Sequence, residues 1–384
     1  MRSGIWRELL YLGKNKWDLM LVTLVPLLII VIFSSMFYQG KAQHLPIAIV
    51  DQDQSELSRN IEKYLRHDEA VSIAMRTPDL NQVEHRLNQN KIWGYVLIPN
   101  GAEQRLVQAK DAQIAVVFNQ SYFSVGNTIS SAMMVSTAKA IADYLGEEYL
   151  GNNLPYVDMP TPHVKISTLF NPELSYEFYL QPFVIPAVLH LLLCCCVAFS
   201  VGQEFKYQHA QQWIERHGVL AGLSSKLLVY VVIFSLWTWL WMYWLIGVRG
   251  WFVAGELWLI MLAQVLFYAA YAFISAAVVL GTQNLSKTFG IIAVYGGSSL
   301  SFAGVTLPLN NAPEFTQVWA NIIPYTPYAR LQTQQWVIGS PISVSMQPLL
   351  FISLFLVIFA LLSFLLLRKN TRVTPPQNST RGSP

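Results

Sequence analysis

Charge is what this sequence has least of. Asp, Glu, Lys and Arg make up 12% of its 384 residues, about half the 25% usual for a soluble domain. Hydrophobic residues reach 53% and aromatic ones 13%, so neither an ordinary soluble chain nor a disordered one fits. The formal net charge is only +3, small enough to say little about partners, and no nucleic-acid partner is expected. Cysteine is nearly absent too. The three that occur, Cys194, Cys195 and Cys196, are adjacent within an apolar run. That placement excludes a disulfide framework and reads as packing or lipid-facing residues. Catalytic signatures are missing: there is no G-x-S-x-G, no H-E-x-x-H and no paired-cysteine motif.

What the sequence does have is long apolar runs. A bilayer core needs about 20 apolar residues in a helix, and six segments qualify: 19–38, then roughly 179–201, 221–246, 256–281, 288–306 and 347–367. The first is too long, and lacks a small-residue cleavage site, to be a signal peptide. Residues 1–17 before it form a basic amphipathic stretch with Ile5, Leu9 and Leu12 on one face, expected to lie along the membrane surface. Basic residues set orientation. Arg2, Arg7, Lys14 and Lys16 precede the first span; Lys206, Arg216 and Lys226 follow the second; Lys287 follows the fourth; Arg368, Lys369, Arg372 and Arg381 end the chain. The alternate connections carry only Arg249 and Arg330. Both termini are therefore expected in the cytoplasm, with segment 39–177 outside and a disordered cytoplasmic tail over 368–384.

The stretch GTQNLSKT, 281–288, nearly matches a phosphate-binding loop, but Ser286 stands where the second glycine belongs. An apolar helix precedes it where a strand is needed, and no cytoplasmic strand ends in an acidic residue to hold magnesium. A polar turn between two spans explains it, so the chain is expected to bind no cofactor and to be no enzyme.

Segment 39–177 reads as an α+β domain. HLPIAIVDQDQS is a strand with Ile47, Ile49 and Val50 as its apolar residues. ELSRNIEKYLRH follows as a helix with Leu57, Ile61, Tyr64 and Leu65 on one side, capped by Asp53 or Ser55. LNQVEHRLNQN is a second helix, WGYVLIP and IAVVFN are further strands, and Ser124–Leu150 is a long helix. Asp51, Asp53, Ser55, Leu57, Arg59 and Glu62 fall at calcium-loop spacings, but Glu56 replaces the obligatory glycine and Arg59 sits at a ligand position. A strand end with a helix cap accounts for the same residues. Within the spans, His190 is the one ionisable group set deep, a functional candidate against the plainer reading of a neutral ring bonded to a neighbouring helix.

One span, a large external domain and then five spans make an asymmetric chain. The connection VGQEFKYQHAQQWIERHGVLAGLSSKLL and the external loop FAGVTLPLNNAPEFTQVWANIIPYTPYARL complete the pattern. At these residues, and at IAIVDQDQSELSRNI, the chain resembles an ABC transporter permease of the type-2 exporter class with a large external domain between spans one and two. It departs from that pattern at Tyr207-Gln208 and His217-Gly218, where family members usually carry Gly-Thr and Thr-Pro pairs. The resemblance implies a polytopic α-helical membrane protein of six transmembrane helices in a bacterial inner membrane. A first helix at 18–38 and a five-helix region at 178–367 would frame the external domain.

The resemblance further implies a permease that works with a separate cytoplasmic ABC ATPase, which would hold the ATP and magnesium. It would pair with a second permease copy or a sister permease, among membrane lipids and with room for a periplasmic adaptor. A hydrophobic or amphipathic substrate would leave the cell, as in multidrug efflux. A coupling helix near 205–217 would engage the ATPase through Glu204, Lys206, Tyr207, Trp213, Ile214 and Arg216. A re-entrant loop near 305–345, with Phe302, Gly304, Pro308, Pro324 and Pro327, would form an external gate. The other readings are a membrane-anchored receptor or scaffold sensing a ligand through its external domain, for which two spans would suffice, and a membrane-embedded enzyme, for which only Glu204 with His209 comes close to an acid/base pair.

The orientation is testable in a variant whose native cysteines are replaced. A single cysteine at Asn100 should react with a membrane-impermeant thiol reagent added outside intact cells, and one at Asn370 should not. Reversed labelling would overturn the orientation drawn from the basic residues.

Overall fold

A computed structural model describes residues 2–38, 43–89, 91–108, 110–119, 123–151, 175–306, 309 and 312–372. Pro308 lies outside them, as do 152–174 and most of the tail. In chain order the elements begin with helices α1 (Arg2–Lys14), α2 (Lys16–Val22) and α3 (Leu24–Met36). Next come β1 (Leu45–Asp51), α4 (Glu56–Arg66), β2 (Val71–Thr77), α5 (Leu80–Asn88), β3 (Gly94–Ile98), α6 (Ala102–Val107), β4 (Ala115–Phe118) and α7 (Phe123–Gly151). The remainder is helical: α8 (Tyr176–Tyr179), α9 (Gln181–Lys206), α10 (Ala210–His217), α11 (Val219–Tyr243), α12 (Leu257–Thr282), α13 (Leu285–Gly297), α14 (Ser299–Phe302), α15 (Glu314–Asn321), α16 (Tyr325–Gln332) and α17 (Ile342–Arg372). Two π-helical turns, Trp244–Val248 and Thr333–Ile338, extend α11 and α16. The described residues form two compact units, 43–151 and the rest.

The 43–151 unit is built on a four-stranded sheet of order β2-β1-β3-β4. β1 runs parallel to β2 and β3, while β4 is antiparallel to β3. Alternation along β1 divides its side chains between two cores. Ile47 and Ile49 pack with Leu57, Ile61 and Leu65 of α4 and Ile129 and Met133 of α7; Ala48 and Val50 pack with Val83 of α5. The sequence reading lacked β2. Its larger apolar residues Val71, Ile73 and Met75 do alternate, and Arg76, between them and Thr77, pairs with Asp51 and, at 2.7 Å, with Glu62.

The turn after β1 is fixed by carboxylates acting on backbone amides. Ser55 caps α4 by accepting from the Ser58 amide at 3.2 Å. Asp53 caps α6 instead, accepting from the amides of Gly101 at 2.6 Å and Glu103 at 3.0 Å. Glu103 returns the favour, its Oε1 accepting from the amides of Glu56 at 3.1 Å and Leu57 at 3.0 Å. Asp51 accepts from the amides of Asp53 and Gln54 and from the Ser58 hydroxyl. Of the residues at calcium-loop spacing, Ser55 and Asp53 thus close two helix ends and Asp51 holds the turn between them.

In the other unit, five helices among the described residues are long and apolar enough to cross a membrane: Lys16–Met36, Gln181–Lys206, Val219–Val248, Leu257–Thr282 and Ile342–Thr371. The expected sixth span, 288–306, takes a different form. α13 has 13 residues, about 20 Å of rise, and the chain breaks at Ser298 before the single turn of α14. Consecutive Gly296, Gly297, Ser298 and Ser299 are poor helix formers, which explains the interruption. GTQNLSKT is the junction of α12 and α13. Gln283 is left-handed, and Asn284 caps α13 by accepting from the Lys287 amide at 3.1 Å.

The first span is kinked at Thr23. Pro26 has no N–H to offer the Val22 carbonyl, and its ring crowds that oxygen. The stranded carbonyl accepts instead from the Trp237 indole of α11 at 2.9 Å, which satisfies a group that lipid could not. The face of α1 differs from expectation. Gly4, Glu8 and Leu12 are buried while Leu9 and Leu10 are exposed. At Gly4 an added Cβ would lie 2.2 Å from the Ser225 hydroxyl of α11, so only glycine allows this approach.

Burial pushes the Asp53 carboxyl up, but the amides of Glu103, Gly101 and Ala102 and the Ser55 hydroxyl outweigh it and hold the group below its usual range. Its stabilising contribution is therefore present above the ordinary carboxylate pKa of about 3.9 and is lost as pH falls through the lower folded value. Asp53→Ala should lower hydrogen-exchange protection of α6 about fivefold near pH 6, roughly 1 kcal/mol. It should also abolish the acid-dependent part of that protection. Unchanged protection would refute the cap.

Candidate functional site

The densest chemistry in the helical unit lies where α1, α9, α10 and α11 meet. Lys226, on an otherwise apolar stretch of α11, is 5% exposed. An ammonium buried this way needs anionic partners, and it has two. Its Nζ donates to Glu204 Oε1 at 2.8 Å and lies 3.0 Å from Glu8 Oε2. Glu204 ends α9 and Glu8 projects from α1; they are 8% and 4% exposed. Arg7 closes the set, its Nη2 donating to both Glu204 oxygens at 3.1 and 3.2 Å. The remaining oxygen of Glu8 accepts from the Ser200 hydroxyl at 2.6 Å and the Tyr230 phenol at 2.8 Å. Two cations face two carboxylates, so the cluster is neutral while it draws α1, α9 and α11 together.

Trp213 connects α10 to this cluster. The Lys226 ammonium lies over its ring, 5.3 Å from the centroid, in cation–π range. Trp213 is 3% exposed and packs beside Gly222. α10 is joined to α9 through Gln208, left-handed at φ 59°, and to α11 through Gly218 at φ 74°. The second turn is one that glycine adopts without strain.

Of the six residues expected to engage a partner, the structure therefore divides two from the rest. Glu204 and Trp213 face inward, onto Lys226. Lys206, Tyr207 and Arg216 are exposed and Ile214 is half-buried. Trp213, expected to engage a partner, packs within the protein against Lys226. Glu8 was missed. In sequence it reads as the solvated face of an amphipathic helix, and only the Gly4, Glu8, Leu12 spacing hints otherwise.

The opposite end of the bundle holds a second ion pair. Glu177, fully buried, accepts from Arg249 Nε and Nη2, both at 2.9 Å, and from the Trp251 indole at 2.7 Å. Nearby, Phe302 meets Phe315 and Trp319 of α15, each at 6.3 Å between centroids. Gly304 follows at φ 78°. Pro324 and Pro327 stand apart from that cluster, at the start of α16. The Tyr325 phenol of α16 donates to the Phe183 carbonyl of α9 at 2.8 Å. His190 is buried between them, its ring 4.3 Å from Tyr271, 5.5 Å from Phe267 and 5.9 Å from Tyr325. Its Nδ1 lies 3.2 Å from the Pro186 carbonyl of its own helix. A carbonyl can only accept, so Nδ1 carries the proton.

The cluster predicts a sharp contrast. Lys226→Met alone leaves two buried carboxylates with Arg7 as their only cation and should destabilise the protein by about 3–5 kcal/mol. Adding Glu8→Gln removes one of those carboxylates and should restore part of the loss, measured as thermal unfolding in detergent. Additive effects in the double variant would show that the two residues do not interact.

No curated protein and no solved structure matches the chain. A family does: residues 16–365 match the family described as ABC-2 family transporter protein. That span takes in all five long apolar helices nearly whole and the cluster's Glu204, Trp213 and Lys226. The chain belongs to the ABC-2 family of transporter membrane components, the permease subunits of ABC transporters.

Proposed function

We propose that this permease exports a hydrophobic or amphipathic substrate, driven by a separate cytoplasmic ATPase that holds ATP and magnesium, with α10 as the transmission element. The observation that carries this reading is the seating of α10. Its inner face rests on the charged cluster through Trp213, while Tyr207, Arg216 and the flank of Ile214 remain free for a partner. Displacement of α10 would reach Lys226 through the tryptophan ring, and from there α9 through Glu204 and α1 through Glu8. An exposed amphipathic helix of this kind suits a groove on an ATPase, with Lys206 and Arg216 steering the encounter.

In this reading the chain works as a dimer, with itself or with a sister permease, in a bacterial inner membrane. Both termini are cytoplasmic and the 43–151 unit lies outside, where an adaptor would meet it. The bend after Phe302 and Gly304, with α15 and α16 behind it, forms the outer gate. The aromatic packing of Phe302 against Phe315 and Trp319 supports a closed state. Membership of the permease family sets the receptor reading aside.

The test uses proteoliposomes holding permease and ATPase. Tyr207→Ala combined with Arg216→Ala should leave the permease folded, because both side chains are exposed, yet reduce efflux at least about tenfold, the equivalent of 1.4 kcal/mol. ATP hydrolysis should lose its dependence on the permease. Wild-type efflux and hydrolysis in that variant would exclude α10 as the transmission element and favour the turn around Lys287.

A further inference from the structure

Two connections join the helical unit to the 43–151 unit in the chain, one leaving the first span at Tyr38 and one returning through α8 to α9. Within the helical unit these two connections are stitched together. Arg249 stands between them. It donates to the Tyr38 carbonyl at 2.8 Å, lies 4.4 Å over the Tyr38 ring, and pairs with Glu177 of α8 at 2.9 Å. Further along, Gln181 at the start of α9 donates to the Ser34 hydroxyl of α3 at 3.1 Å. α8 is a single turn, too short to hold a helical shape by itself, so its surroundings impose it. The Ser175 hydroxyl accepts from the Phe178 amide at 3.3 Å, and the Phe178 ring packs 5.2 Å from that of Trp251. Glu177 is fully buried between Arg249 and the Trp251 indole, and a carboxylate sealed off this way is held to its cation.

Tyr179 ends that turn and reaches the bend after α14. Its phenol donates to the Val305 carbonyl, one residue beyond Gly304, where the backbone turns at φ 78°. Val305 lies outside any helix, so its carbonyl takes its hydrogen bond from elsewhere in the fold. On the other side of Gly304, Ala303 is 5% exposed and packs in the core of the helical unit. One half of this contact is a short turn locked by a buried ion pair. The other half is a glycine bend, which can change its backbone angles at little steric cost.

We propose that Tyr179 and Arg249 are positioning residues for this bend: the phenol latches Val305, and the guanidinium holds the turn that carries the phenol. The proposal rests on the reading of the bend as the outer gate. With the latch made, Ala303 stays packed and the bend is closed; with it broken, Gly304 lets the bend swing outward. The latch is carried on the connection that returns from the 43–151 unit, which gives that unit a covalent route to the gate.

The test uses the full-length protein with its native cysteines replaced and Ala303→Cys introduced, timing its reaction with a water-soluble maleimide in detergent solution. Tyr179→Phe deletes one hydroxyl from a side chain that is 39% exposed, so the fold should survive. Labelling should quicken about fivefold for one lost hydrogen bond. Arg249→Gln combined with Glu177→Gln removes the ion pair without stranding a buried charge and should quicken labelling at least as much. Ala263→Cys on α12, a fully buried position, reports general loosening and should react at one rate in every background. Unchanged labelling at 303 in Tyr179→Phe would overturn the latch, as would a parallel rise at 263. Unchanged labelling in the double variant would remove Arg249 from it. In proteoliposomes with the ATPase, a gate that swings outside the ATP cycle wastes turnovers, so Tyr179→Phe should lower efflux per ATP hydrolysed. Quickened labelling with unchanged efflux per ATP would uphold the latch and exclude the bend as the gate.

Discussion

Lys226 is the constraint from which the arrangement of the helical unit follows. An ammonium withdrawn from water costs several kcal/mol unless anions surround it, and nothing on α11 itself supplies one. Glu204 must therefore come from the end of α9 and Glu8 from α1, with Arg7 making up the charge. Each demand fixes an element. α9 cannot slide along α11 without losing the 2.8 Å contact, and α1 cannot lift away without abandoning Glu8. Trp213 covers the remaining side and brings α10 with it. A hydrophobic substitute for all four charges could be as stable, so the cluster is better understood as fixing which elements meet, and in what register.

The far end of the bundle is held by neutral hydrogen bonds as much as by charge. Gln335, in the π-helical turn before α17, accepts from the Glu256 amide at 2.8 Å and donates to the Ser340 carbonyl at 2.9 Å and the Ser345 hydroxyl at 2.8 Å. The Gly255 amide donates to its carbonyl at 2.8 Å. The two π-helical turns carry the wider, mismatched hydrogen bonding of that geometry, and Gln335 with the Glu177 pair supplies the cross-links that hold the irregular backbone. One end of the unit is thus tied by ions around a single lysine, the other by a mesh of amides.

Long apolar helices were legible in the sequence because hydropathy is a property of composition. Val219–Val248 and Leu257–Thr282 fall within a few residues of the expected 221–246 and 256–281. β1 and α4 were legible for a related reason, a sharp alternation followed by a helical period. What escaped depends on partners distant in the chain. Glu8 looks solvated until Lys226, far along the sequence, is placed beside it. Trp237 looks lipid-facing until Pro26 frees a carbonyl opposite. The 204–216 segment was legible as a unit but its residues were not sorted into inner and outer faces, since Trp213 and Tyr207 are equally plausible as apolar anchors before α10 is docked. The interruption at Ser298 was written locally in Gly296 to Ser299, yet it was outweighed by the hydropathy of the surrounding window.

The cluster also imposes an order in time. Glu8 and Tyr230 are 222 residues apart, and Lys226 is nearly as far. A ribosome adds roughly 5–20 residues per second, so Glu8 leaves it some 10–45 s before its partners exist. Throughout that interval the first span is already available for insertion, while α1 has its exposed Trp6, Leu9 and Leu10 in place of its charged partners. Of the helices described, α1 is made before the others yet is among the last to lock, and it locks only when the third long helix delivers the lysine.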